Sequence, residues 1–414
     1  MHKKIFPIPA IEKKHRQGLL GAHFDCFLNW MQEHGYSRHS MRFNVQCLTH
    51  LGKYLEKKGI SSIHQLQGAD GQELLATYRD YCRGQGYWRR ESGLKLYLEA
   101  LEEAGILSNS RPGNSFLFHE TKQYRDFLKN QRGLAEKTIH RHIYWIEKFF
   151  RFLGCQEHRS SVPTFGIGQV DRFIEQEAER LGRTSQGSLA GCLRSFLRFL
   201  YQSGKLATDL SVLITSPRCY KLESLPRVLD WDEVQKIVNS VHRSTRNGPQ
   251  HYAILILLTT YGLRAGEVAQ LKLEDIDWRK KAIHIVPRKS GKDLYLPLTP
   301  GVAQAILDYL RHRRSPSKYR QVFLLTRAPW RSLTRQNIAY VVNRHLELAG
   351  LESPRGGSHL LRHSFATHLI RKGASLKQIG DLLGHRRLES THIYTKTATE
   401  HLREVALEVP EVRW

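Results

Sequence analysis

Apolar residues along this chain recur mostly at helical intervals, and one short region alternates at the period of a strand. In FDCFLNWMQEHGYSRHSMRFNVQCLTHLGKYLEKKGI, Leu48, Leu51 and Leu55 share one helical stripe after a Gly35-Tyr36-Ser37 break. The pattern returns about ninety-eight residues later in YRDFLKNQRGLAEKTIHRHIYWIEKFFRFLG. There Gly35 answers Gly133, Ser40 answers Thr138, Val45 answers Ile143, Leu48 answers Ile146 and Leu55 answers Leu153. The later halves pair as well, LKLYLEALEEAGIL with CLRSFLRFLYQSGKL, offset by ninety-nine. Self-similarity at a fixed offset predicts a duplicated helical module.

Beyond a two-proline stretch, TSPRCYKLESLP, the pattern changes. Asp230 with Glu233 makes a capping box for a helix through EVQKIVNSV. A strongly apolar helix over Tyr252 to Tyr261 ends at Gly262, and AGEVAQL opens the next. In KAIHIVPRKSGKDLYLPL, Ile283 and Ile285 and then Leu294 and Leu296 alternate as two strands, with Ser290-Gly291 as a two-residue turn. Helices follow in GVAQAILDYLRHRR, RQNIAYVVNRHLELAG, HLLRHSFATHL and SLKQIGDLLGH, with a short strand expected at QVFLL. The expected fold is mainly α with a small β-sheet (α+β). Its domains are a basic arm over 1–21, an additional helical module over 22–113, a second helical module over 114–213, a linker over 214–226, and a larger domain over 227–414.

Composition narrows the partner. Lys plus Arg is 64 against 39 acidic residues, a net charge of +25, which points to a polyanion and most simply to nucleic acid. Residues Leu222 to Trp414 carry 31 basic and 18 acidic side chains, so each half of the chain is basic, as a clamp on phosphates would be. The six cysteines, Cys26, Cys47, Cys82, Cys155, Cys192 and Cys219, lie at wide intervals with no C-x-x-C, which suits a reducing cytoplasm and argues against structural zinc. The N-terminus lacks the apolar stretch of a signal peptide, and the run Ala253 to Leu258 is too short to span a bilayer.

Candidate chemistry concentrates between Ser358 and Lys396. His359 and Arg362 are three apart on a helix and share a face, and an imidazole beside a guanidinium makes an anion site. Gly384-His385 ends the following helix, and Tyr394 comes nine residues later. Upstream, Arg264 opens a helix after a glycine turn, placed either to reach an anion or to pair with Glu267. Lys289 and Lys292 flank the hairpin tip, where a lysine is ordinarily solvated. His359 and His363 stand at i,i+4, but position 360 is Leu, so the H-E-x-x-H pattern of a zinc hydrolase is not met.

Arg264, Lys289, His359-x-x-Arg362, Gly384-His385 and Tyr394, in this order and embedded in TYGLRAGEVAQL, HLLRHSFATHL and LGH, resemble the signature of the tyrosine recombinases, the phage-integrase and Xer-like group. The resemblance runs from Leu225 to about Leu402. It implies that Tyr394 attacks a scissile phosphate to give a 3′-phosphotyrosyl bond, with His359 accepting its proton. By the same likeness, Arg264 and Arg362 stabilise the charged phosphate, His385 donates to a non-bridging oxygen, and Lys289 is general acid, with Lys292 the alternative.

No cofactor or metal is expected. The module over 114–213 looks like the family's core-binding domain, in which Lys137, His140, Arg141, Arg194 and Arg198 would meet double-stranded DNA. The family acts as a homotetramer on two DNA sites, and the apolar stripe Leu402, Val405, Ala406 and Val409 is expected to dock on a neighbouring subunit. These features imply a cytoplasmic, nucleoid-associated integrase of a mobile element. A type IB-like topoisomerase and a non-cleaving DNA-binding protein are the alternatives.

Overall fold

The computed structural model describes residues 9–66, 77, 78, 80–82, 91–107, 119–154, 165–218, 227–286, 293–312, 318–351, 357–385, 391 and 394. Helices α1 (Pro9–Arg16), α2 (Phe24–Glu33), α3 (Arg38–Lys57) and α4 (Glu91–Glu103) come first. They are followed by α5 (His119–Asp126), α6 (Glu136–Phe152), α7 (Ile167–Ala178) and α8 (Arg183–Gln202). Next are α9 (Trp231–Asn239), α10 (Gly248–Tyr261) and α11 (Ala265–Gln270), then strands β1 (Ile276–Asp277), β2 (Ala282–Ile285) and β3 (Leu294–Pro297). The last helices are α12 (Pro300–His312), α13 (Arg335–Leu348), α14 (Ser358–Arg371) and α15 (Leu376–Leu382). The fold is thus mainly helical with one small sheet, as the apolar periodicity predicts.

Two units result. One comprises Met1–Lys53, Arg89–Ala104 and Ser224–Trp414, the other Tyr54–Trp88 and Gly105–Glu223. In the second unit α5, α6, α7 and α8 close over an aromatic core in which Tyr124, Phe149, Phe150, Phe173 and Phe196 are at most 1% exposed. Within it Lys148 pairs with the buried carboxylate of Glu177.

The first unit is built around α10. Ala253, Ile254, Leu255, Leu257 and Leu258 are fully buried, and a helix apolar on all sides belongs at the centre of a core. It packs against α12, α13 and α14. The antiparallel sheet runs β1-β2-β3, with Ile283 opposite both Ile276 and Leu296. The hairpin tip, including Ser290-Gly291, Lys289 and Lys292, falls outside the described residues. The stretch QVFLL, expected as a strand, forms only isolated bridges, Lys272 to Gln321 and Leu324 to Ser332. Tyr309 Oη explains part of this, because it accepts the Leu324 N–H that a ladder would need.

The N-terminal stretch differs from the expected arm. It is helical from Pro9, and Arg16 bonds both Glu12 and Asp25. Its neighbours α2 and α4 pack on the Lys318 to Arg331 stretch of the same unit. Trp330 N–H donates to the His34 carbonyl at 2.9 Å, Glu99 pairs with Arg331, and Glu103 pairs with Lys318. The two glycines at the ninety-eight-residue offset share a local conformation, with φ of +78° at Gly35 and +60° at Gly133. Each ends a helical segment and hands the chain to the next helix, α3 or α6. No helix among the described residues is long and apolar enough to cross a membrane.

Candidate active site

Arg362 is the hub of the site, and α14 carries it into the protein, where it is 3% exposed. A buried guanidinium needs partners for its donors. Nη1 donates to the Gly262 carbonyl at 2.8 Å, and Nη2 donates to the Leu383 carbonyl at 2.8 Å and to His385 Nε2 at 2.9 Å. Both carbonyls lie just past helix C-termini, where unpaired C=O groups and the helix dipole favour a cation. Gly262 closes α10 in the left-handed region, φ +62°, and a Cβ there would lie 2.5 Å from the Phe365 ring. Glycine at this position lets the chain turn and brings its carbonyl to Arg362.

Two residues later, Arg264 stands before α11. Its backbone N–H donates to Glu267 Oε2 at 2.7 Å and its guanidinium to Glu267 Oε1 at 2.7 Å. The pairing with Glu267 considered from spacing is therefore present. It orients the arginine without withdrawing it, since Arg264 still adds to the positive potential felt by His359, Arg362, His385 and Tyr394.

His359 lies one turn of α14 before His363, on the open side of the site. Desolvation lowers its pKa, Arg335, Arg362 and Arg264 lower it further, and Glu267 opposes them. A neutral imidazole, able to accept a proton, is the result at neutral pH. Burial, with Arg362, Arg264 and His363 nearby, pushes His385 down to about 4, so it too is neutral. His363, which sequence reasoning set aside with the zinc pattern, packs its ring 5.5 Å from that of Tyr394 and is pushed to about 4 by burial first, then by His359 and Arg362.

Tyr394 is 2% exposed, and the Arg362 guanidinium acts on its hydroxyl. Its ring lies nearly parallel to that of His385, centroids 6.2 Å apart. Burial raises its pKa, while Arg362 and Arg264 pull the other way. Arg264, His359, Arg362, His385 and Tyr394 therefore come together, although 130 residues separate the first from the last in sequence. Lys289 and Lys292 lie outside the described residues. Sequence reasoning missed Gly262, whose carbonyl accepts from the hub, and Arg335, whose charge reaches His359.

In the other unit, Lys137, His140 and Arg141 lie exposed on α6 with Tyr144, at spacings that share a helix face. Arg194 on α8 is tied to the Ile214 carbonyl at 3.0 Å and Ser216 Oγ at 2.9 Å, so it braces the segment leaving that unit. Arg194, Arg198 and Arg132 line one shallow pocket of about 190 Å³. Arg132 was not singled out from sequence. Its position beside the left-handed Gly133, matching Gly35 at the repeat offset, was the available signal.

Residues 227–401 match the phage integrase family. Over 95% of its length the chain is 30% identical to the Sinorhizobium fredii protein y4rA, described as an integrase/recombinase, and covers 95% of that protein. It is also 30% identical to the tyrosine recombinase XerD of Listeria innocua, over 67% of this chain and 94% of that one. Among solved structures, the fold is similar to the XerH site-specific recombinase bound to palindromic difH substrate, with TM-score 0.55, 20% identity, and coverage of 75% of this chain and 87% of that one. It is likewise similar to a lambda integrase(75-356) dimer bound to a COC' core site, with TM-score 0.52, 17% identity, and coverage of 71% and 98%.

Proposed function

The chain belongs to the phage integrase family of tyrosine recombinases, and from that premise we propose how its own residues carry out site-specific DNA recombination. A phosphodiester repels nucleophiles and has a poor leaving group, so the reaction depends on positioning and on charge stabilisation. Tyr394 attacks the scissile phosphorus as the bond to the 5′ oxygen breaks. His359 takes the phenolic proton, and Lys289 (or Lys292) delivers one to the departing 5′ oxygen. Arg264 and Arg362 neutralise the phosphoryl oxygens, and His385 donates a hydrogen bond to a non-bridging oxygen. The 5′-hydroxyl of a partner strand then attacks the 3′-phosphotyrosyl bond and releases Tyr394. Bond energy is conserved throughout, so no nucleotide cofactor is called for.

One observation supports this most strongly: Arg362 bonds His385 and its positive charge bears on the Tyr394 hydroxyl, so nucleophile and phosphate-binding groups meet in one subunit. Tyr394 is 2% exposed, so it must be uncovered for the phosphate to reach it. Lys137, His140, Arg141, Arg194 and Arg198 contact the DNA backbone from the other unit, and such contacts position without specifying sequence.

Four protomers act on two sites. The apolar stripe Leu402, Val405, Ala406 and Val409 of one enters its neighbour, where an apolar groove of about 500 Å³ lined by Trp231, Val234, Val238, Ile256 and Phe365 has matching chemistry. The protein works in the cytoplasm on the nucleoid, as the integrase of a mobile element.

Strand exchange between two differently marked duplexes carrying the ends of the encoding element, in EDTA, is the test. Exchanged products are expected. Relaxation of supercoils without exchange would favour the topoisomerase reading, and binding without cleavage would favour the accessory one.

A further inference from the structure

A second cationic hollow lies at the other end of α10 from the catalytic cluster. This helix has 14 residues, and Gly262 and Arg264 follow its C-terminus. At 1.5 Å per residue its two ends are about 20 Å apart. Beside the N-terminal end, residues within 240–251, 325–328 and 340–348 enclose a cavity of about 720 Å³, the size of a small-ligand pocket. All of them belong to the first unit.

Arg246, Arg327 and Arg344 line this cavity with His242, His251 and Tyr340, and among the described residues no aspartate or glutamate lines it. Like charges around one hollow repel, and an anion placed among them relieves that repulsion. The carboxylate nearest to hand does little of this: Glu347 stands 3.6 Å from Arg344, and both side chains are at least half exposed. Arg246 spends one N–H on the Thr326 carbonyl at 2.7 Å, which steadies its fork at the wall. Tyr340, one turn before Arg344 on α13, is 64% exposed and offers a ring face at the rim.

The wall behind these groups is fixed by a directed chain. Ser240 Oγ donates to the Ile237 carbonyl at 2.7 Å, so it accepts from His345 Nδ1 at 2.8 Å. His345 Nε2 in turn accepts from His251 Nδ1 at 3.0 Å. Burial, with Arg344 and His242 nearby, lowers His345, and burial with His345 pushes His251 down to about 4. Both rings are neutral at pH 7, so the arginines supply the charge.

We propose that this cavity binds a small phosphate-bearing ligand, with two or more phosphate groups held by Arg246, Arg327 and Arg344. A guanidinium fork matches a pair of phosphate oxygens, and a concave pocket of this volume suits a free ligand better than a duplex backbone. The phosphates could belong to a nucleotide, whose base would stack on Tyr340, or to a polyphosphate with no base. The site is independent of the recombination reaction and of the scissile phosphate.

The experiment is calorimetric titration of the full-length protein with ATP and with pyrophosphate, without metal and at physiological salt. Arg327→Gln combined with Arg344→Gln removes two of the three forks, and Tyr340→Ala removes the ring. Arg279→Gln combined with Lys280→Gln, exposed between β1 and β2, removes the same charge elsewhere. One site per chain is expected, weakened about tenfold or more by the Arg327 and Arg344 changes and unaltered by the Arg279 and Lys280 changes. Tighter binding of ATP than of pyrophosphate, lost in Tyr340→Ala, would support a nucleotide ligand, and equal binding would support phosphates without a base. In the unaltered protein, ATP should still bind when duplex DNA saturates the chain.

Absence of binding by either probe up to about 1 mM would overturn the proposal. So would binding that survives loss of Arg327 and Arg344, or binding weakened equally by the Arg279 and Lys280 changes, which is general charge attraction. Displacement of ATP by the duplex would also overturn it and make the cavity a contact for the DNA backbone.

Discussion

Arg264 and Glu267 face each other twice: one carboxylate oxygen takes the arginine's backbone N–H at 2.7 Å, and the other takes its guanidinium at 2.7 Å. Glu267 is 8% exposed, whereas the Arg264 side chain is 39% exposed, so a buried anchor holds a reachable cation. Such an arrangement preorganises the charge that must meet the phosphate.

Glu267→Gln tests that preorganisation. The amide keeps the shape and loses the charge and one acceptor position, and hydrogen bonds to charged groups are worth roughly 1.5–3 kcal/mol. Cleavage measured as single-turnover adduct formation should slow by about ten- to a hundredfold, with DNA affinity changed little. A rate equal to the parent's would mean that Arg264 is held by something else.

Gly262→Ala is expected to damage both fold and site. A left-handed conformation costs a non-glycine residue about 1–2 kcal/mol, and the new Cβ would sit 2.5 Å from Phe365 and 2.8 Å from Leu383. The chain should melt several degrees lower, and cleavage should fall because the Gly262 carbonyl no longer meets Arg362. The substitution Gly133→Ala is the control. Its φ is also positive, +60°, but nothing lies within 4 Å of the added carbon, so only the conformational cost applies.

Acid should destabilise the protein through its histidines. Burial pushes His142, His251, His363 and His385 each to about 4, below the ordinary 6.5. The folded chain keeps these rings neutral while the unfolded chain protonates them, so unfolding takes up protons between these values. Their contribution is present in full above pH 6.5 and is lost as pH falls toward 4. Melting curves from pH 7.5 to 5.0 should show a falling midpoint, with a shallower fall in His142→Gln, whose ring bonds Tyr124 Oη within the second unit. A midpoint independent of pH would contradict the neutral, buried assignment.

Much of this architecture is written in local patterns. The stripe of α6, the all-round apolar face of α10 and the glycine stops at Gly35, Gly133, Gly262 and Gly384 are each readable because the determinant lies within one helical turn. The family likeness of Arg264, His359, Arg362, His385 and Tyr394 is readable for another reason: their spacing survives even though their contacts cannot be inferred.

What stayed hidden depends on residues far apart in sequence. Arg362 is satisfied by a carbonyl 100 residues away and another 21 residues away, and backbone acceptors carry no side-chain signature. The packing of α2 on Trp330 is similarly silent, since Gly35 reads as a turn glycine. Its lack of a side chain also clears the Trp330 ring, which a Cβ would approach to 2.3 Å. The density of lysine and proline before Gly21 suggested an arm, whereas Arg16, bridging Glu12 and Asp25, secures a helix.

The central claim is that Tyr394 becomes covalently bonded to DNA with the help of Arg362. The most direct measurement is the yield of SDS-stable protein–DNA adduct in EDTA for the full-length protein and for Tyr394→Phe, with DNA affinity measured alongside. The parent should form the adduct, and Tyr394→Phe should form none while binding the same duplex with the parent's affinity. An adduct that persists in Tyr394→Phe would contradict the claim.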